Sequence, residues 1–145
     1  MPKHMPQMVS VMTPFPYHIE AARPVDDALR MMQEHGIRHL PVMIDGAIEE
    51  IVSDRDIKRA QLIGHRGPTS EELCVGDITP TTCYFADVSD PLDQILEHML
   101  ARHAEAIVVT KEGAPVGIFT ETDACKALIE LLRERYPEDE DDDAA

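Results

Sequence analysis

The sequence predicts a mixed α/β (α+β) chain, two strand–helix–strand–strand–helix units packed as a pseudo-two-fold pair. Three observations carry this. First, residues 24–58 lie over residues 91–125 without a gap. The overlay matches Pro24 with Pro91, Asp26 with Asp93, Leu29 with Leu96, Met32 with Met99, Val42 with Val109, Gly46 with Gly113 and Asp56 with Asp123. Agreement this long at one offset marks a duplication. Second, each copy sets an acid–glycine pair, Asp45-Gly46 or Glu112-Gly113, between two apolar runs. Asp-Gly in that setting is the strongest short hairpin signal. Third, each copy ends on two apolar residues, a hydroxyl, two further residues and an aspartate: Ile51 to Asp56, and Ile118 to Asp123.

The elements follow in order. A short extended piece opens each unit, Tyr17-His18-Ile19 or Tyr84-Phe85-Ala86. Pro24 and Pro91 then stand at the first helical position, where a missing N–H costs nothing. Val25, Ala28, Leu29 and Met32 give the first helix an apolar face, and Leu92, Ile95, Leu96 and Met99 give the second copy the same face. Gly36 ends the first helix. Two strands come next, 39–44 with 47–52 and 106–110 with 115–119. A second helix starts at Ser53 or Thr120. Further upstream, with one residue of slippage, Val9, Thr13 and Pro14 match Val75, Thr79 and Pro80. The units are therefore drawn at 8–63 and 75–135, with a linker at 64–74 and a disordered acidic tail at 136–145. One three-stranded sheet with two helices leaves an apolar face bare, and packing the units together covers it.

At 145 residues and 43% hydrophobic content the chain can build a core. No apolar run reaches the length that spans a bilayer, and the N-terminus lacks a signal-peptide core; the expected compartment is the cytoplasm. The net charge of −15 disfavours nucleic acid and anionic membranes as partners. It is unevenly spread: residues 1–67 are close to neutral, and the acids concentrate beyond them. Cys74, Cys83 and Cys125 show neither even number nor metal spacing and read as small buried side chains. No phosphate loop, nucleophile elbow or zinc-helix motif is present, so no enzyme and no cofactor are expected.

The repeated hydroxyl-x-x-Asp has two physical readings. Ser53 and Thr120 can cap their helices, with Asp56 and Asp123 answering three residues on. The same junction can take an anionic ligand, because a helix N-terminus offers free N–H groups and a positive dipole end. Arg55, Lys58 and Arg59 read as a solvated helix face.

Val11-Met12-Thr13-Pro14, the run from Gly36 to Val42, and the two hydroxyl-x-x-Asp endings together resemble a tandem pair of cystathionine-β-synthase (CBS) domains, over about residues 8–135. The resemblance implies a regulatory module that binds AMP, ADP, ATP or S-adenosylmethionine between paired domains and acts on another protein, as a homodimer. It assigns Asp56 and Asp123 to the ribose hydroxyls, which a two-oxygen carboxylate suits. Ser53 and Thr120 fall beside ribose or phosphate, Thr13 and Thr79 at the base, and the backbone at Leu40, Pro41 and Ile107 along it. Arg38 falls at the phosphate, which a guanidinium can bond twice. Glu50 and Glu105 depart from the family pattern where Gly117 and Arg38 keep it. On these grounds the first unit, with Arg38 and Asp56, is the expected anion site. The competing reading is a ligand-free dimerisation scaffold in which the motifs are caps alone. A redox role through Cys74 or Cys83 is the third.

Overall fold

An antiparallel hairpin organises each unit. The structure is a computed structural model that describes residues 4–14, 17–64, 73–78 and 83–138. In the first unit β3 (His39–Ile44) pairs with β4 (Ala47–Ser53), and in the second β6 (Ala106–Lys111) pairs with β7 (Ala114–Thr120). Asp45 and Gly46 have φ of 51° and 83°, Glu112 and Gly113 of 53° and 81°. Two consecutive left-handed residues are what a tight hairpin turn needs. Both hairpins slip register at the same place, between Val42 and Met43 and between Val109 and Thr110.

A short parallel strand completes each three-stranded piece: β2 (Ile19–Glu20) beside β3, and β5 (Phe85–Asp87) beside β6. Helices α2 (Val25–His35) and α4 (Leu92–Arg102) cross over between them. Pro24 and Pro91 are the N-cap residues, one position before that expected; both have extended ψ, 148° and 133°. Gly36 ends α2 at φ 64°. His103 stands at the matching place with φ 53°, where L side chains are strained. Helices α3 (Asp54–Gly64) and α5 (Glu121–Arg135) close the units.

The two entry segments are exchanged in space. Helix α1 (Met8–Val11) and β1 (Thr13–Pro14) precede the first unit in the chain, yet β1 pairs with β7 of the second, Thr13 opposite Ile118 and Pro14 opposite Gly117. Met8 is buried in the second unit's core with Leu92, Ile95, Met99, Ile107, Val109 and Phe119. In return a 3₁₀ turn (Val75–Asp77) lies on the first unit: Val75 N–H donates to Arg23 O at 2.8 Å, and Gly76 N–H to Ala21 O at 2.8 Å. Val75 and Ile78 are buried there among Val25, Ala28, Met32 and Leu40. The boundaries at 8 and 75 are thus boundaries along the chain, not in space.

A third cluster, Ile48, Ile51, Val108 and Ile118 with Met43, Cys83 and Ala106, joins the sheets face to face. It covers the apolar sheet faces that single units would leave bare. On α5, Ala127 is buried, whereas Leu128, Leu131 and Leu132 are 55%, 42% and 48% exposed. Residues 65–72 of the linker and 139–145 of the tail lie outside the described residues. Among the described residues no helix is long and apolar enough to cross a membrane.

Candidate functional site

Both capping motifs fold as the residue types dictate. Ser53 N–H donates to Asp56 Oδ2 at 3.1 Å, and Asp56 N–H to Ser53 Oγ at 3.0 Å. Thr120 N–H donates to Asp123 Oδ2 at 3.0 Å, and Asp123 N–H to Thr120 Oγ1 at 3.2 Å. Each box satisfies two donors that a helix start leaves free. Asp123 carries a further load. Thr13 Oγ1 donates to its Oδ1 at 3.0 Å and lies 3.2 Å from Oδ2. A carboxylate at the start of α5 therefore pins β1 from the far end of the chain. Asp123 is 6% exposed, so those bonds stand largely out of water.

Each capped helix end opens on a cleft, and each cleft draws on both units. The Asp123 cleft, about 500 Å³, is lined by Thr13, Pro14, Tyr17, Ile37, Arg38, His39 and Pro41 from the first half and by Ile118, Thr120, Thr122, Asp123 and Lys126 from the second. The Asp56 cleft, about 200 Å³, is lined by Ser53, Arg55, Asp56 and Arg59 from the first half and by Cys83, Tyr84, His103, Ala104, Glu105 and Ala106 from the second, with His39 again. Each helix thus faces the strand start of the other unit.

This corrects the sequence expectation that Arg38 and Asp56 share a site. Arg38 gives its carbonyl to the start of its own α3, where Asp54 N–H donates to it at 3.0 Å. Arg38 itself lines the Asp123 cleft. Glu105 behaves in mirror fashion: it accepts from Glu121 N–H at 3.0 Å and sends its side chain to the Asp56 cleft. There Glu105 Oε1 lies 3.2 Å from Arg55 Nη1, and Oε2 lies 3.6 Å from His39 Nε2. That ring nitrogen is buried and has no hydrogen-bond partner, since 3.6 Å is beyond bonding reach.

The near-neutral first half therefore does not mark the cationic cleft. With histidines neutral, the Asp123 cleft sets Arg38 and Lys126 against Asp123. The Asp56 cleft sets Arg55 and Arg59 against Asp56 and Glu105. Arg55 and Arg59 are exposed, as a solvated face requires, and they also line this cleft. The repeat offset, carried one residue past the overlay, matches them with Thr122 and Lys126 and so could have found all four as one set. Lys58 does stay outside, 3.8 Å from Asp54 on the exposed side of α3.

The matched positions Gly117 and Glu50 stand in different surroundings. The family resemblance implies that a glycine at Gly117 lets a ligand approach the backbone closely. Instead a Cβ there would meet Met12 Sδ and the Thr13 carbonyl oxygen, each at 2.8 Å. The glycine admits β1, not a ligand. Glu50, at the matching place in β4, is half-buried; burial first and then Glu49 push its carboxyl above the ordinary range. Burial first and then Glu50 push the Cys83 thiol up to about 11, which keeps it protonated and a poor nucleophile. Cys74, Cys83 and Cys125 are all free, but Cys74 and Cys83 are only partly buried and Cys125 is exposed, which corrects the expectation of three buried side chains.

Of the remaining sequence candidates, Pro41 lines the Asp123 cleft. Leu40 and Ile107 are core residues, fully buried and 4% exposed, whose side chains pack inward. Thr79 lies outside the described residues. An aromatic ring guards each cleft: Tyr17 stacks on His35 at 3.7 Å, and Arg102 lies 5.1 Å from the Tyr84 ring centre.

Two copies of one α/β unit, joined by their sheet faces and flanked by two clefts built jointly, define a duplicated two-unit module. The chain belongs to the CBS domain family: the family's sequence model matches residues 9–63 and 75–130. It is similar in structure to the Vibrio cholerae protein AcuB, with TM-score 0.76 and 23% identity over 94% of this chain and 99% of that one. It is also similar to CBSX2, solved in complex with AMP, at TM-score 0.66 and 25% identity, covering 88% of this chain and 98% of that one. A third similar structure is a CBS domain pair solved with 5′-methylthioadenosine and S-adenosyl-L-methionine, at TM-score 0.76 and 18% identity, covering 88% and 99%. No curated protein matches the chain.

Proposed function

We propose that the chain is a non-catalytic regulatory module that binds an adenosine-containing nucleotide in the Asp123 cleft and changes the behaviour of a partner protein. One observation carries the reading. A carboxylate fit for a ribose diol shares a cleft with two cations, Arg38 and Lys126, fit for a 5′-phosphate. Asp123 Oδ1 accepts from Thr13 alone among the described residues, so it keeps a lone-pair site for a ligand hydroxyl. CBSX2, similar at 25% identity, is solved with AMP, which supports the ligand class. In this reading the module works in the cytoplasm, which suits three free thiols. It pairs with a second copy through the exposed leucines of α5.

The test is a thermal-shift panel of AMP, ADP, ATP and S-adenosylmethionine. A ligand that binds only the folded chain must raise Tm, by the equivalent of about 2.7 kcal/mol at a hundredfold excess over Kd. A phosphate-bearing member should do so, and Arg38→Ala should abolish most of the shift. Flat curves for the whole panel would remove the proposal. They would favour the second reading, a scaffold whose motifs are only caps. That reading draws on the fact that both aspartates are already engaged in capping boxes.

A further inference from the structure

We infer that Glu105 is a built-in competitor for phosphate: it keeps anionic nucleotides out of the Asp56 cleft, so the chain takes a single nucleotide, in the Asp123 cleft. The inference borrows its ligand from the reading above but rests on cleft geometry of its own. The repeat makes the two clefts an internal comparison. Arg59 and Lys126 are matched cations on matched helix turns, and Asp56 and Asp123 are matched carboxylates. The position of Arg38 in one cleft is that of Glu105 in the other. Glu105 places one carboxylate oxygen 3.2 Å from Arg55 and the other toward the buried His39 Nε2 at 3.6 Å. It thereby stands in the cleft between Arg55 of α3 and His39 of β3. The remaining void is about 200 Å³, against about 500 Å³ on the other side.

The consequence is for entry, not for folding. The Arg55 side chain is 68% exposed and that of Glu105 43%, and ion pairs so wetted add little to stability. A phosphate entering this cleft, however, has to displace a carboxylate from Arg55 and then sit beside its charge. Without that charge the cleft would hold Arg55 and Arg59 against Asp56, the same surplus that Arg38 and Lys126 hold against Asp123. Glu105 thus sets the stoichiometry of the module.

The test compares the parent chain with Glu105→Gln, which keeps the side-chain size and removes the charge. Calorimetric titration with AMP should give one site per parent chain and two for the variant, the second within about tenfold of the first in Kd. Adding Arg55→Ala to the variant should remove the gained site, with melting curves confirming that all forms are folded. Two sites in the parent, or no gained site in Glu105→Gln, would overturn the inference. A chain that binds AMP only as Glu105→Gln would support the competitor role and defeat the Asp123 assignment. If no form binds AMP, inorganic pyrophosphate followed by phosphorus NMR decides. Line broadening in Glu105→Gln that is absent from the parent and lost with Arg55→Ala upholds the competitor; no difference between the forms refutes it.

Discussion

The Asp123 and Asp56 clefts are built from matched residues of one repeat, yet they differ in charge, in volume and in what their aspartates do. Asp123 caps α5 and pins β1, while its cleft stays open beside Arg38 and Lys126. Asp56 caps α3, while its cleft is crossed by Glu105. The lesson lies in the exchange of elements between units. Because each helix faces the other unit's strand, the charge of a unit is not the charge of its cleft. Duplication supplied two sites, and a substitution at one matched position, Arg38 against Glu105, made them unequal.

Substitutions can break that comparison, beginning with stability. Asp123→Ala should cost about 3 kcal/mol in denaturant unfolding, because it removes the cap and leaves the Thr13 hydroxyl without its carboxylate. Asp56→Ala loses only a cap and should cost about 1 kcal/mol. Equal losses would show that Asp123 does not hold β1. Gly117→Ala comes next, at about 2 kcal/mol, since its methyl group has to push Met12 and a backbone carbonyl aside. The matched position already carries Glu50, so Glu50→Ala should have no comparable steric effect.

The smallest effect concerns Glu50 itself. Its carboxyl pKa is raised, so the folded state holds the proton more tightly than the unfolded state does. Its contribution to stability is therefore largest in acid and is lost as pH rises through the raised pKa. Glu50→Gln should gain stability at pH 7, and the gain should vanish toward pH 3. A gain that is independent of pH would assign the effect to packing. The same neighbourhood predicts that Cys83, at about 11, reacts with iodoacetamide more slowly than the exposed Cys125 at pH 8. Faster labelling of Cys83, read by mass spectrometry, would reopen a redox role.

Much of this fold is legible in the residues. The gapless overlay locates both hairpins, and the turn pairs Asp45-Gly46 and Glu112-Gly113 mark their reversals. The capping boxes at Ser53 and Thr120 follow from side-chain chemistry alone. The exchange of entry segments is not legible, for a physical reason. A two-residue strand such as Thr13–Pro14 has no periodicity, and its partner, β7, lies far along the chain. Reading Arg38 with Asp56 follows from that same gap, since an alignment groups residues by chain order and a cleft groups them by contact. Gly117 shows the limit from the other side: the need for a small residue is visible, but not whether backbone or ligand fills the space.

The central claim is that the Asp123 cleft, and not the Asp56 cleft, accepts an adenosine nucleotide. Titration calorimetry with AMP on Asp123→Asn and Asp56→Asn tests it most directly, because each change keeps size and removes one charge. The account predicts that Asp123→Asn weakens AMP binding by about tenfold or more, roughly 1.4 kcal/mol, and that Asp56→Asn leaves it within about twofold of the parent. A loss on Asp56→Asn with Asp123→Asn unaffected would contradict it.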